Sequence, residues 1–502
     1  MPTEAYELVP PPAHAMIESL RGVGYSTEAA IADIVDNSIA AKARNVRVQF
    51  HFAGRESWIS VTDDGVGMSD ADLRRAMTLG GTHPWSIRAE QDLGRFGLGL
   101  KTASFAQSRC LTVATKQVGQ RSERCWDLDY IARPEINDWR LLPNGRPGTA
   151  KLFEALDEMT SGTIVLWQEL DRITAGMLAN EPASEDAFLT TAEKVGEHLG
   201  MVFHRFLSGP RPELQIWLNG QRVKPWDPFL ENHPATEVTP VERVYSSHGV
   251  IELQGFVLPH KDRLTEQEAS LASGPAGWTA QQGFYVYRSR RMLVAGGWLG
   301  LGTPRVWTME EPYKLARLRL EFPNSADKEW DIDVKKSVAR PPRLLRRRLT
   351  DLADQVRSSA KQVFAHRGAY GRRAAVPDLQ TAWIGRTTNG STSYKINREH
   401  PAVLRAAEES GGKAIEQLLR LVEETVPIQR IWLDTVENGE IQKEAFAEAA
   451  TPEVADLART TLWHLVTKVG LSRATALARL RRTEPFQNYP DLIDSIAAED
   501  TQ

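Results

Sequence analysis

From Thr27 onward, Ala30, Ile31, Ile34, Val35, Ser38 and Ile39 recur three and four residues apart, which predicts the buried stripe of an amphipathic helix. Residues 14–44 as a whole read as helices. Ser26-Thr27 stands ready as the cap of the second one, with Glu28 in a first turn where the helix dipole favours negative charge. The period then changes. Val46-Arg-Val-Gln-Phe50 and Trp58-Ile-Ser-Val-Thr62 alternate with a repeat of two, as paired strands do, and Gly54 supplies the turn between them. Leu111–Lys116, Arg124–Tyr130 and Thr163–Trp167 repeat the strand pattern. The first part of the chain is therefore expected to layer helices on one face of a mostly antiparallel sheet. Residues 70–93 follow no single period and include Gly80-Gly81-Thr82, the character of a mobile cover.

Residues 183–207 predict a helix that leads into a second strand-rich region. Its expected strands are Leu214–Leu218, Val250–Phe256, Gly283–Tyr287 and Leu315–Glu321. Amphipathic helices resume at about 342 and again beyond 400, and between them the Gly/Ser/Thr/Asn-rich stretch Gly385–Ser393 reads as a loop or linker. No internal repeat is present. The expected class is α+β, with domains at 12–182 and 183–342, a basic helical segment at 343–375 and a mainly helical region at 376–502.

Bulk composition narrows the function only by exclusion. A chain of 502 residues with 41% apolar and 25% charged residues is globular, and its length implies several domains. A net charge of −4 gives no global case for nucleic acid or an acidic membrane. Two cysteines, Cys110 and Cys125, without a CxxC pair argue against a disulfide framework or a zinc site and suit a reducing cytoplasm. No stretch reaches about 18 uninterrupted apolar residues, and residues 1–20 do not have the make-up of a signal peptide. The expectation is a cytoplasmic protein with no membrane partner. Charge is uneven, however. Segment 335–375 holds twelve Lys/Arg against Asp351 and Asp354, with Arg343, Arg346 and Arg347 at helical spacing and Leu344, Leu345, Leu349 and Leu352 as an apolar side. Such a helix can face DNA phosphates, the first domain or a protein partner. Segment 401–450 is acidic, and Trp463–Leu480 has a helix–turn–helix outline with Gly470 at the turn and Ser472 as a cap.

Four short segments carry candidate chemistry. Asp33 and Asn37 are four apart and share a helix face. A carboxylate there can act as a general base on water, and an asparagine oxygen one turn later can join a magnesium shell. In Asp63-Asp-Gly-Val-Gly-Met68 a carboxylate at a strand end can accept an exocyclic amine, Gly65 and Gly67 allow close backbone approach, and Met68 can pack on a base. Gly94-Arg95-Phe96-Gly97-Leu98-Gly99-Leu-Lys101 is a glycine loop running into a helix, a source of backbone N–H groups for phosphates, with Lys101 adding positive charge. It is neither a Walker A loop nor a dinucleotide fingerprint. Gly162-Thr163 opens a strand.

In this order and spacing the four segments resemble the nucleotide-binding boxes of the GHKL ATPases: gyrase, the large heat-shock chaperone, histidine kinases and MutL. The resemblance implies an N-terminal Bergerat-type α/β sandwich that binds ATP with Mg2+. By the same resemblance Asp33 activates water, Asn37 holds the metal, Asp63 reads adenine, and Thr163 supports the adenine side. It also implies a second, transducer domain over 183–342 that sends a lysine to the γ-phosphate. Trp330-Asp-Ile-Asp-Val-Lys-Lys-Ser337 lies where that sensor falls, with Lys336 preferred over Lys335. Gly283-Phe-Tyr-Val-Tyr-Arg-Ser-Arg-Arg291 is similar to the aromatic strand and Arg-rich turn of MORC members. The chain departs from the pattern twice: Asp33 replaces the usual glutamate, and Ala40-Ala41 replaces a frequent Asp-Ala pair. A slow or partner-stimulated ATPase is therefore expected. Bacterial MORC-like relatives imply an ATP-dependent homodimeric clamp acting on double-stranded DNA beside a nuclease or methylase in phage defence. A chaperone-like scaffold that changes protein contacts is the alternative.

Overall fold

The computed structural model describes residues 11–22, 24–80, 99–136, 138–246, 249–327, 329–331, 339–365, 380–388, 391–409, 412–427 and 450–499. Gly81, Thr82, Gly94, Arg95, Phe96, Gly97, Leu98, Lys335 and Lys336 lie outside the described residues. The chain divides into two units, Met1–Ala369 and Tyr370–Gln502.

The first unit begins with α1 (Ala13–Arg21) and α2 (Thr27–Ala40), followed by β1 (Asn45–His51), β2 (Trp58–Asp63), α3 (Asp70–Met77) and α4 (Gly99–Gln107). Next come β3 (Cys110–Gln117), β4 (Gln120–Asp127), α5 (Leu128–Ile131) and β5 (Gly162–Gln168). The expected Ser26 cap is in place, its hydroxyl accepting from the Ala29 N–H. In β1 the alternation is literal: Val46, Val48 and Phe50 are buried, whereas Arg47, Gln49 and His51 are exposed. The buried side chains meet Ile31 and Val35 of α2 and Phe105 of α4 in one core. On the other side of the sheet, Phe153 and Leu156 pack against Ala114, Ile164 and Leu166. The class is α+β, as the sequence predicts.

Three expectations need correction. The first sheet runs β4-β3-β5-β2-β1-β6-β7, where β6 (Gln215–Leu218) and β7 (Gln221–Arg222) were expected in the second domain. β6 pairs parallel with β1, and α6 (Pro182–Val202) buries Phe188, Val195 and Leu199 in the first core. The first domain thus extends to about residue 222, and a boundary at 182 would cut through its sheet. Second, Asp70–Met77 is a helix capped by Ser69 with Leu73 and Met77 buried, so the irregular cover does not begin at 70. Third, the basic helix is no separate segment, as the next domain shows.

That domain pairs β8 (Glu237–Val238), β9 (Glu242–Ser246), β10 (Gly249–Val257), β11 (Gly283–Arg288), β12 (Arg291–Ala295) and β13 (Ala316–Phe322). The order is β12-β11-β13-β10-β8, with β9 also on β10, and only β11 and β13 run parallel. α8 (Glu266–Ser273) starts with a Thr265–Glu268 capping box. α9 (Arg343–Ala365) lays Leu349, Ala353, Val356 and Ala360 on this sheet. Gly255 of β10 makes room for it, since a Cβ there would come within 2.3 Å of Val356. Leu344, expected on the apolar side, is 95% exposed. Between α6 and this domain lies the short helix α7 (His204–Leu207).

In the second unit, β14 (Trp383–Thr388) and β15 (Ser391–Ile396) form an antiparallel pair, which replaces the loop expected over Gly385–Ser393. Helices α10 (Pro401–Glu409) and α11 (Gly412–Thr425) follow. Pro452–Thr467, Arg473–Leu480 and Pro490–Glu499 then pack around Val454, Ala458, Leu480 and Ile493. Gly470, at φ +78°, turns the chain, and Ser472 caps the helix after it. No helix among the described residues is long and apolar enough to cross a membrane.

Candidate functional site

The helical spacing of α2 puts Asp33, Asp36 and Asn37 on adjoining sides of one turn. Asp33 and Asp36 are buried, and Asn37 is exposed. The Tyr25 hydroxyl donates to Asp33 Oδ2 at 3.1 Å. Tyr25 is itself held from α4, where Gln107 donates to its carbonyl at 2.9 Å and accepts from Thr27 Oγ1 at 2.8 Å. A Cβ at Gly99, the first residue of α4, would lie 3.5 Å from the same Asp33 oxygen. The end of the glycine loop therefore faces the carboxylate directly. Asn37, one turn on, presents a single exposed amide beside that carboxylate. This suits magnesium, which keeps several of its own waters and takes few protein ligands.

Asp63 ends β2 at the opposite wall. It accepts from Ser38 Oγ and from the Gly65 N–H, both at 2.9 Å. Burial pushes its carboxyl above the ordinary value, and these two donors oppose the shift. Asp64 turns away. Its oxygens accept from the Arg44 and Asn45 N–H groups and the Asn45 amide at 2.7–2.8 Å, which lowers its pKa despite partial burial. Thr163 pairs with Asp63 across β5 and β2. Its hydroxyl lies 3.1 Å from that of Thr115, which donates to the Gly162 carbonyl and accepts from the Met68 N–H at 2.9 Å. One network thus joins Asp63, Thr163 and Met68. Gly65 and Gly67 serve the protein's own packing too: a Cβ would come within 2.8 Å of Ala41 at the first and 2.0 Å of the Lys116 carbonyl at the second.

Lys101 departs from the simple picture of a phosphate ligand. It is buried, its Nζ donates to the Ala76 carbonyl at 2.8 Å, and burial pushes its pKa down to about 8. Gly94–Leu98 and Lys336 lie outside the described residues, so the structure brings together Asp33, Asn37, Gly99 and Lys101 on the helical side and Asp63, Gly65, Gly67, Met68 and Thr163 on the sheet side. Sequence reasoning missed Tyr25, Ser38, Gln107 and Thr115. Ser38 follows Asn37 directly and was legible as a neighbour. The others acquire meaning only from tertiary contacts.

The family described as histidine kinase-, DNA gyrase B- and HSP90-like ATPase matches residues 25–163, which span Tyr25 through Thr163. The N-terminal domain belongs to the GHKL superfamily. It is MORC-like: the chain is 36% identical over 90 residues to the ATPase morc-1 of Caenorhabditis elegans, a match covering 18% of this chain and 10% of that protein. The chain thus spans about a tenth of the length of the curated relative it matches. A GHKL domain binds ATP, and the described walls of the site hold a buried acid at a strand end, Asp63, and the first turn of a helix at Gly99.

Proposed function

We infer that this chain is a slow, Mg2+-dependent ATPase in which nucleotide state sets the arrangement of the first two domains of the N-terminal unit. The observation that carries this reading is Asp33: a buried carboxylate, oriented by Tyr25, facing the first residue of the glycine-loop helix. In this reading Asp63 accepts the adenine amine, with Thr163, Thr115 and Met68 fixing that end of the pocket. Gly94–Gly99 present N–H groups to the phosphates, with Arg95, Phe96 and Leu98 in the same loop. Asn37 would hold a magnesium ion, whose contribution when bound is to neutralise phosphate charge. Asp33 takes a proton from the attacking water. Residues 223–365 act as the transducer, and Lys336 is the proposed γ-phosphate contact.

The shorter aspartate keeps this role because the helix carrying it lies close to Gly99, which offsets the missing methylene. Asp33→Asn is expected to lower turnover about 100-fold or more while leaving ATP bound. Unchanged turnover would remove the general-base assignment. Asp63→Asn is expected to abolish binding itself. We propose further that the switch acts on double-stranded DNA or on a DNA-processing complex, as an ATP-dependent dimer in the cytoplasm, with a nuclease or methylase as candidate partner. Magnesium-dependent ATP hydrolysis with and without duplex DNA tests this. Stimulation only by a protein would favour the scaffold reading.

A further inference from the structure

The second domain reaches the first through the turn between β11 and β12. Arg290 on this turn makes a rim contact: Nη1 lies 2.8 and 2.9 Å from the two Glu213 oxygens, and Nη2 donates to the Arg205 carbonyl at 2.6 Å. Arg291 does something different. Its side chain is only 4% exposed and crosses to α2, where Nε lies 3.0 Å from each oxygen of Asp36. Nη1 donates to its neighbour's carbonyl, on Met292, and the guanidinium carbon sits 5.9 Å from the centre of the Phe203 ring. Nη2 lies 3.8 Å from Asp33 Oδ1.

Asp33 thus has a neighbour from each domain: the Tyr25 hydroxyl of its own domain donates to Oδ2, and the Arg291 guanidinium of the other lies within ion-pair range of Oδ1. Asp33 and Asp36 are three apart on the helix, so one planar guanidinium can address both. A buried ion pair is costly to break because each charge would be left without its partner in a dry site. Moving β12 relative to α2 must therefore either carry Asp36 along or release Asp33 from one side.

We propose that Arg291 is a positioning residue that ties the placement of the second domain to the orientation of Asp33. ATP turnover then requires the Arg291–Asp36 pair, with Arg291 acting through Asp33 and not on the nucleotide itself. This rests on the reading of Asp33 as the base, and it is distinct from a lysine that contacts the γ-phosphate. Lysine cannot replace arginine here, since an ammonium cannot span two carboxylates as a planar fork does.

The test compares the full-length chain with Arg291→Lys and with the double variant Arg291→Met/Asp36→Asn, which removes the closely paired charges together, so that Asp36 is not left as a buried carboxylate without its cation, and leaves Asp33 with its Tyr25 donor. ATP affinity, kcat and thermal unfolding are measured on each. In both variants kcat is expected to fall about tenfold or more while the Kd for Mg-ATP stays within about threefold and unfolding remains cooperative. A folded variant with wild-type kcat would overturn the proposal, as would a drop in kcat that merely follows weakened ATP binding. Should the wild type bind ATP without turning it over, the base assignment fails, and amide exchange of β12 decides the tie. ATP must then alter that exchange in the wild type and not in Arg291→Lys, and an equal response in both overturns it. A wild type that binds no ATP sinks both readings.

Discussion

Asp63 and Asp64 are adjacent carboxylates that face opposite ways. Asp63 is buried and satisfied by two donors, and Asp64 clamps the loop between α2 and β1. Asp64→Ala is accordingly expected to cost about 1 kcal/mol of stability, because water takes the place of a charged acceptor at this exposed turn, and to leave ATP affinity nearly unchanged, whereas Asp63→Asn does the reverse. Denaturant unfolding and equilibrium nucleotide binding separate the two. Gly67 combines φ +68° with a backbone carbonyl where a Cβ would go. Gly67→Ala should cost on the order of 3 kcal/mol from left-handed strain and overpacking together, read as a lower urea midpoint. Lys101 makes a prediction about pH. Burial holds its pKa at about 8 in the fold, below the ordinary 10.5, so between these values the unfolded chain binds more protons and stability rises with pH. The burial cost is fully present below about pH 8. The stability gap between wild type and Lys101→Met should therefore change across that window and be flat below it.

Elements settle where the domains begin and how they communicate. The strand Gln215–Leu218 looked like the start of a second domain because it follows a long helix. It joins the first sheet because a parallel crossover needs such a helix, and α6 is it. Asn389-Gly390 between two alternating runs was a readable hairpin signal, obscured by the small polar residues around it. In α9 the arginines drew attention to one face, but Leu349, Ala353, Val356 and Ala360 decide its place. Leu349→Ala is expected to destabilise the second domain by about 2–4 kcal/mol. At the contact between domains, His204 of α7 lies 2.8 Å from the Tyr287 hydroxyl of β11, and burial pushes the histidine pKa down to about 3. The imidazole is neutral there, whereas the unfolded chain's histidine, near 6.5, takes up protons first. Stability carried by this contact is thus present above about pH 6.5 and is lost as pH falls toward 3. His204→Gln should flatten that limb of the acid-unfolding curve.

At the scale of the molecule, the exposed arginines of α9 and the acid-balanced remainder set up a test of the DNA reading. Arg343 and Arg347 are exposed, whereas Arg346 donates to the Gly300 carbonyl and Arg348 pairs with Glu242. Neutralising Arg343 and Arg347 should leave unfolding unchanged. If DNA lies here, the log–log slope of affinity against salt should fall by about one for each phosphate that is no longer neutralised. Unaltered salt dependence would move the interface elsewhere. The sequence by itself determined the α+β class, the nucleotide boxes and their order, because helix stripes, strand alternation and glycine-acid turns are local and carry their periods in the chain. It could not determine that Tyr25 and Thr115 complete the pocket, that β6 belongs to the first sheet, or that Arg291 lies against Asp33 and Asp36. Those contacts join positions far apart in the chain, and only the packing of one layer on another, driven by the burial of both apolar faces, brings them within reach.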